Sequence, residues 1–318
     1  MRLIELFNFR KDEIKTQQQR SAVIALGGGG ARGVAHLGAI ESIGESGVQT
    51  ERIVGVSMGA LVGAMCAVDP EIHRVQAKAI ELLYSPVFLR KCCSLTGPAS
   101  KLSDRDSECM AWYGNWYGRI KKSVANSRRF RRALKGPSLM RDNLLREAIE
   151  YLLPDIDIAD TEIPLSIVTA DLMSGHRVVL ENGSLREAVL ASTAIPGFFP
   201  PVAWDDGKAQ LCDVGTLDSL PVAVAQSYAR DLVIGVDVGN DQKAIQRCGT
   251  AIEVMMRMDE IGERIVRREM MKMADLVIRP EVGNRLWFDF SDPEQLIDEG
   301  RIAARQALRS LPLAVSVQ

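Results

Sequence analysis

The stretch SAVIALGGGGARGVAHLGAI, residues 21–40, decides how the chain folds. Ser21 to Leu26 form a short uncharged run rich in aliphatic side chains, the pattern of a strand buried on both faces. Four glycines then bare the backbone, and Val34, Leu37, Ile40 and Ile43 recur at helical spacing between Gly33 and Ser46. A strand that turns through naked backbone into a helix brings main-chain N–H groups up to a ligand. Two ligands fit: a nucleotide phosphate and the oxyanion of a reacting ester.

Working outward, RIVGV predicts a second strand ending at Val56, and the small-residue run from Met58 to Val68 a second helix. PLSIVTADL and HRVVLEN read as two strands joined around Ser174 and Gly175, and SLREAVLASTAIPG as a capped helix stopped by Pro196 and Gly197. KAQLCD predicts a strand reaching Asp213. DLVIGVDV and ADLVIRPE predict two more, separated by a long helix with Val254, Met258, Ile261 and Ile265 on one face. Strands alternating with helices predict an α/β domain, a mainly parallel sheet covered by helices. The expected organisation is an N-terminal extension over 1–20 and one domain over 21–318. Residues 84–154 break the alternation and are expected to form an inserted basic helical cap.

The 318 residues are 47% hydrophobic, enough for one sizeable core, and the net charge of −2 gives no reason to expect nucleic acid. Within the expected cap, AWYGNWYG precedes eight Lys or Arg between Arg119 and Lys135 with no acid among them. That run fits either an anionic membrane surface, where each basic residue contributes roughly 1 kcal/mol, or a solvated basic face. Leu3, Ile4, Phe7 and Phe9 fit membrane anchoring or docking on the domain. The methionines at 255, 256, 270, 271 and 273 fit core packing or an acyl channel. The six cysteines lack zinc-type spacing and read as reduced thiols. The mixed polar N-terminus does not read as an export signal, so a cytoplasmic protein is expected, either free or peripheral at the inner membrane face. The longest uncharged run near a motif, residues 54–68, falls short of the roughly 18 residues that would span a bilayer.

GVSMG, Gly55 to Gly59, matches G-x-S-x-G between a predicted strand and a predicted helix. A serine on such a turn projects its hydroxyl beyond the sheet edge, with the flanking Gly55 and Gly59 relieving the crowding. The alternative is a tight turn with a capping serine. Of the three histidines, His36 precedes Ser57, and none follows Asp213, so a Ser-Asp-His order ending in that aspartate is excluded. His73 and His176 read as packed or surface residues, and if no histidine serves, a carboxylate must take the serine proton. Asp213 is placed for this at a strand end, although it also fits a turn aspartate. Nucleotide binding is disfavoured: Gly28, Gly30 and Gly33 satisfy G-x-G-x-x-G, yet the second strand ends in Gly-Val-Ser where a ribose-binding acid is needed, and no Gly-Lys-Ser/Thr follows.

On these residues the sequence resembles the patatin-like phospholipase family, in particular bacterial members similar to the neuropathy target esterase catalytic domain. The family's G-G-G-x-R-G loop matches Gly28, Gly29, Gly30, Ala31, Arg32 and Gly33, its nucleophile elbow Gly55, Ser57 and Gly59, and its D-G-G/A motif Asp213, Val214 and Gly215. The likeness runs from about Ser21 to Pro280. It implies a three-layer α/β/α fold and a Ser57–Asp213 dyad that cleaves phospholipid, lysophospholipid or another acyl ester without metal or organic cofactor. It further implies that N–H groups of Gly28 to Gly30 bind the oxyanion while Arg32 holds the loop; one such donor is commonly worth roughly 3 to 4 kcal/mol. Val214 departs from the family's glycine. If that turn demands positive φ, Asp213 is displaced and the chain is a weak or silent lipid-binding relative.

Overall fold

The computed structural model describes residues 20–90, 138, 141–215, 217–229, 231–240, 247–249, 251–283 and 285–311. Trp112, Trp116, the basic run Arg119 to Lys135, and Leu3 to Phe9 lie outside the described residues.

In chain order the strands are β1 (Ser21–Leu26), β2 (Gln49–Val56), β3 (Leu165–Asp171), β4 (His176–Leu180), β5 (Val202–Trp204), β6 (Ala209–Cys212), β7 (Leu232–Val236) and β8 (Leu276–Ile278). The helices are α1 (Ala35–Glu45), α2 (Met58–Val68), α3 (Ile72–Tyr84), α4 (Asn143–Leu152), α5 (Leu185–Thr193), α6 (Val222–Gln226), α7 (Ala251–Met273) and α8 (Pro293–Leu308). One sheet takes all eight strands, in the order β5-β6-β3-β2-β1-β7-β8 with β4 also on β3. β3, β2, β1, β7 and β8 are mutually parallel, whereas β4, β5 and β6 join through antiparallel pairings. The sheet is therefore mainly parallel, as the alternating sequence pattern predicts.

The two-residue period of β1 explains the layers. Ala22, Ile24 and Leu26 belong to one core with α1, α2, α3 and α8 residues, while Val23 and Ala25 belong to a second core with Val54, Val168, Val222 and Ala225. β1 has β2 on one side and β7 on the other, so successive connections leave it in opposite directions. Such a switch point opens a crevice at the carboxyl ends of the strands, and the glycine loop lies there.

α4, at the end of the expected cap, is part of the body: Ile149, Leu152 and Leu153 are buried in the first core. α7 differs from its sequence reading. Val254, Met258 and Ile265 are 48%, 62% and 58% exposed, and among the described side chains of this helix the fully buried one is Arg267, at 1%. The reason is electrostatic, since Arg267 reaches Asp237 behind β7 and Glu263 on its own helix, and those ion pairs set which face turns inward. Among the described residues no helix is long and apolar enough to cross a membrane.

α1 and α8 cross through Gly38 and Gly300. A Cβ at Gly38 would lie 1.8 Å from the Ile297 carbonyl oxygen, and one at Gly300 1.9 Å from that of Ala35. Gly300→Ala should therefore lower stability by about 1–3 kcal/mol in urea unfolding, the range for an overpacked contact. Gly262→Ala, at a helical position with nothing within 4 Å, should raise it by about 0.5–1 kcal/mol. Equal effects at the two positions would contradict the packing described.

Candidate active site

β2 delivers Ser57 into a bend that regular backbone does not supply: φ is 55° and ψ −125°, in a region that non-glycine residues rarely occupy. The bend is held from below. The Ser57 N–H donates to Ser192 Oγ at 2.9 Å, and the Ser192 hydroxyl donates to the Val168 carbonyl at 2.8 Å. Ser192 is fully buried on α5. Its part is invisible in sequence, where it reads as one more small residue before the Ala-Ile-Pro-Gly stop. The turn also needs close contact between two backbones, since a Cβ at Gly59 would fall 2.2 Å from the Leu26 carbonyl oxygen.

The glycine loop lies alongside, with Gly28 packed directly over the Ser57 side chain. Each peptide of the loop has its own anchor. Gly27 N–H bonds to Val236 O at 3.1 Å and Gly28 N–H to Ser219 O at 2.8 Å; Arg32 Nε donates to Gly29 O at 3.0 Å; Ala31 N–H donates to Trp287 O at 2.6 Å. Arg32 thus holds the loop. Gly28, by contrast, has its N–H committed to the Ser219 carbonyl, so it is not offered to an oxyanion as the resemblance implied. His36 is fully buried with Nε2 against Gly27 O at 2.8 Å; a carbonyl accepts, so that nitrogen carries the proton. Burial pulls its pKa down to about 4, and the ring is neutral.

Asp213 enters from the opposite direction. β6 runs antiparallel to β3, with Cys212 opposite Ala170, and so carries the aspartate back to the level of the elbow. Its N–H donates to Ala194 O at 3.0 Å, and Oδ1 accepts from Gly215 N–H at 2.7 Å. Burial pushes its pKa up to about 6, although hydrogen bonding with the Ser57 hydroxyl and with Gly215 favours the charged form. The structure therefore brings Ser57, Asp213 and the glycine loop together. Val214 takes no positive φ and is buried in the second core beside Val56 and Val168. The displacement of Asp213 expected from a β-branched residue there does not occur, because the turn does not use the left-handed region.

A further buried array supports the loop from α7. Ser219, whose carbonyl holds Gly28, donates its hydroxyl to Glu263 at 2.6 Å; Glu263 pairs with Arg267 at 3.1 Å, and Arg267 with Asp237 at 3.0 Å. Asp237 also takes Arg279 at 3.0 Å. Nothing in the spacing of these residues along the chain announces this array.

From Ser57 a cavity of about 160 Å³ runs between α2, α3 and α4. Ser57 and Thr193 bring the hydroxyls of an otherwise apolar lining, and the Thr193 hydroxyl bonds to the Val189 and Leu190 carbonyls. Its methionines are Met58 and Met65. Of the α7 methionines with described side chains, Met255, Met270, Met271 and Met273 do not line it, contrary to the acyl-channel reading, and Met255 is 71% exposed.

Comparison with known proteins fits this geometry. Mouse patatin-like phospholipase domain-containing protein 6 is 26% identical over 221 residues, covering 69% of this chain and 14% of that protein. An uncharacterized NTE family protein of Mycobacterium bovis is 30% identical over 224 residues, 69% of this chain and 49% of its own length. The chain thus corresponds to a minor part of the mouse protein and about half of the mycobacterial one. Among solved structures, VipD from Legionella pneumophila aligns over 92% of this chain and 67% of its own, at 16% identity and a TM-score of 0.45. The family model for patatin-like phospholipase matches residues 24–225. That span takes in the end of β1, the glycine loop, Ser57 and Asp213 and exceeds half of the sequence: the chain belongs to the patatin-like phospholipase family.

Proposed function

We propose that the chain is a serine acyl hydrolase that cleaves carboxylic esters of lipids, of the phospholipase A or lysophospholipase type. The observation that carries this reading is the meeting of Ser57 with a buried carboxylate at the mouth of an apolar cavity. Asp213 accepts the Ser57 proton as Oγ attacks the ester carbonyl. The oxyanion of the tetrahedral intermediate takes hydrogen bonds from Gly29 and Gly30 N–H. Collapse expels the alcohol, to which the Asp213 proton passes; Asp213 then takes a proton from the water that attacks the acyl-enzyme, and as the acyl–Oγ bond breaks and the acid leaves, that proton returns to Ser57 Oγ. The neutral buried His36 is a brace on Gly27 and takes no proton in this scheme.

The lining supports a division of labour within the substrate. An acyl chain meets apolar walls that would leave a phosphate or sugar headgroup unpaired, so the headgroup lies outside the cavity and the scissile carbonyl at its mouth. A base with pKa near 6 suits work at neutral pH, where it is charged yet close enough in proton affinity to hold the serine proton.

Ser57→Ala and Asp213→Asn should each abolish hydrolysis of a 4-nitrophenyl ester, and only Ser57→Ala should also abolish fluorophosphonate labelling outright. Full turnover in either variant would refute the dyad. In the parent chain kcat/KM should fall about tenfold per pH unit below about 6, as Asp213 protonates. The stability consequence has the opposite sign. A folded pKa above the unfolded value means that the folded state holds the proton more tightly, so stability present at low pH is lost as pH rises from about 4 through about 6. At pH 8 Asp213→Asn should accordingly be more stable than the parent, by on the order of 1–3 kcal/mol in denaturant titration, while inactive. Ser192→Ala strips the elbow of its acceptor; it should lower stability by roughly 1–3 kcal/mol and reduce kcat more than it changes KM.

A further inference from the structure

Trp287 belongs to two structures at once. It lies between β8 and α8, and its side chain forms part of the cavity wall with Phe198, Phe288 and Phe290. The indole stands edge-on to Phe198 at 6.1 Å and to Phe288 at 5.4 Å, so the wall is an aromatic cluster rather than a single ring. Its main chain belongs to the glycine loop. The Trp287 carbonyl accepts the Ala31 N–H at 2.6 Å, among the shortest main-chain contacts of the loop.

The same carbonyl meets Gly30. That residue sits at φ +58°, and a Cβ there would lie 2.1 Å from the Trp287 oxygen. On the other side a Cβ at Gly29 would lie 2.7 Å from Val238 Cγ2. The two peptides that offer their N–H groups to an oxyanion are thus clamped between Val238 and Trp287. Of the two jaws, Val238 follows a central strand and is fully buried. Trp287 rests on an irregular segment whose side chains are only partly buried, and it faces the cavity.

Resting on the hydrolase reading, we propose that Trp287 couples filling of the acyl cavity to alignment of the oxyanion-binding loop, so that acyl chains are selected through turnover rather than through binding. A chain long enough to pack on the indole holds residues 285–290 in place, and through the Trp287 carbonyl it holds Ala31 and the left-handed turn at Gly30. A short chain leaves the segment free to shift, and the donors then meet the developing charge poorly. Energy from a remote, unreactive part of the substrate is in this way expressed at the reacting carbonyl.

Two measurements test the coupling. In the first, kcat and KM are determined separately for 4-nitrophenyl butyrate and decanoate with the parent, Trp287→Ala and Trp287→Phe. The parent should turn over decanoate about tenfold faster or more in kcat; Trp287→Ala should bring the kcat ratio towards one; Trp287→Phe should keep most of it. An unchanged kcat ratio in Trp287→Ala, with only the decanoate KM raised or with both esters slowed equally, would overturn the proposal. The second needs no variant: hydrogen exchange at the Ala31 amide is compared after labelling Ser57 with a butyl or a decyl fluorophosphonate. Stronger protection with the decyl group supports the coupling, and equal protection sinks it. Labelled serine with equal protection removes this proposal alone, whereas absence of both labelling and turnover in the parent removes the hydrolase reading beneath it.

Discussion

The site depends on the close approach of two backbone turns, the loop after β1 and the bend after β2. Neighbouring parallel strands end side by side, and a chain with ordinary side chains would hold the loops beyond them apart. Here Gly59 comes to rest on the Leu26 carbonyl, and Gly28 lies over the Ser57 side chain. The contact fixes where the hydroxyl sits relative to the peptide donors, and it makes the strain at Ser57 tolerable because the surroundings leave no other arrangement. Ser192, His36, Arg32 and the Ser219 carbonyl then each secure one polar group of the paired turns.

The molecule carries two kinds of buried charge here. Asp237 and Arg267, each about 2% or less exposed, are paired, and their neighbours Glu263 and Arg279 extend the array. Desolvation is offset locally, and what remains is geometric definition of α7 against β7 and the loop. Among the described residues no cation acts on Asp213. Gly215 and Ser57 offer hydrogen bonds alone, and the proton affinity rises accordingly. The contrast separates a group held for architecture from one held ready to exchange a proton.

Much of this was legible in the order of residues. The uncharged run of β1, the glycines after it and the small-residue helix after Ser57 each follow from local backbone and packing rules, so the parallel sheet and the elbow could be read directly. Asp213 could be nominated by eliminating histidines, but its approach to Ser57 rests on β6 running against β3, which no local pattern encodes. Val214 misled because a rule about φ was applied to a turn that does not use the left-handed region. α7 misled because its apolar spacing implied an inward face, whereas long-range ion pairs orient it. Ser192 and Trp287 were silent for the same reason: each matters through a partner distant in sequence. The family model independently reaches across the glycine loop, Ser57 and Asp213.

The two halves of the proposed dyad hang on ladders of unequal length. β2 is paired along both edges, to β1 over most of its length and to β3 from Ile53 to Val56. β6 pairs with β3 at two positions, Ala170 with Cys212 and Asp171 with Leu211, beside which Gln210 bonds to the Asp171 carboxylate and to Leu172, and its other neighbour is the three-residue β5 at the sheet margin. Fraying of that margin would carry the acid away from an intact elbow, so the proposed chemistry would fail at a local opening, well short of the cooperative melting of the parallel core.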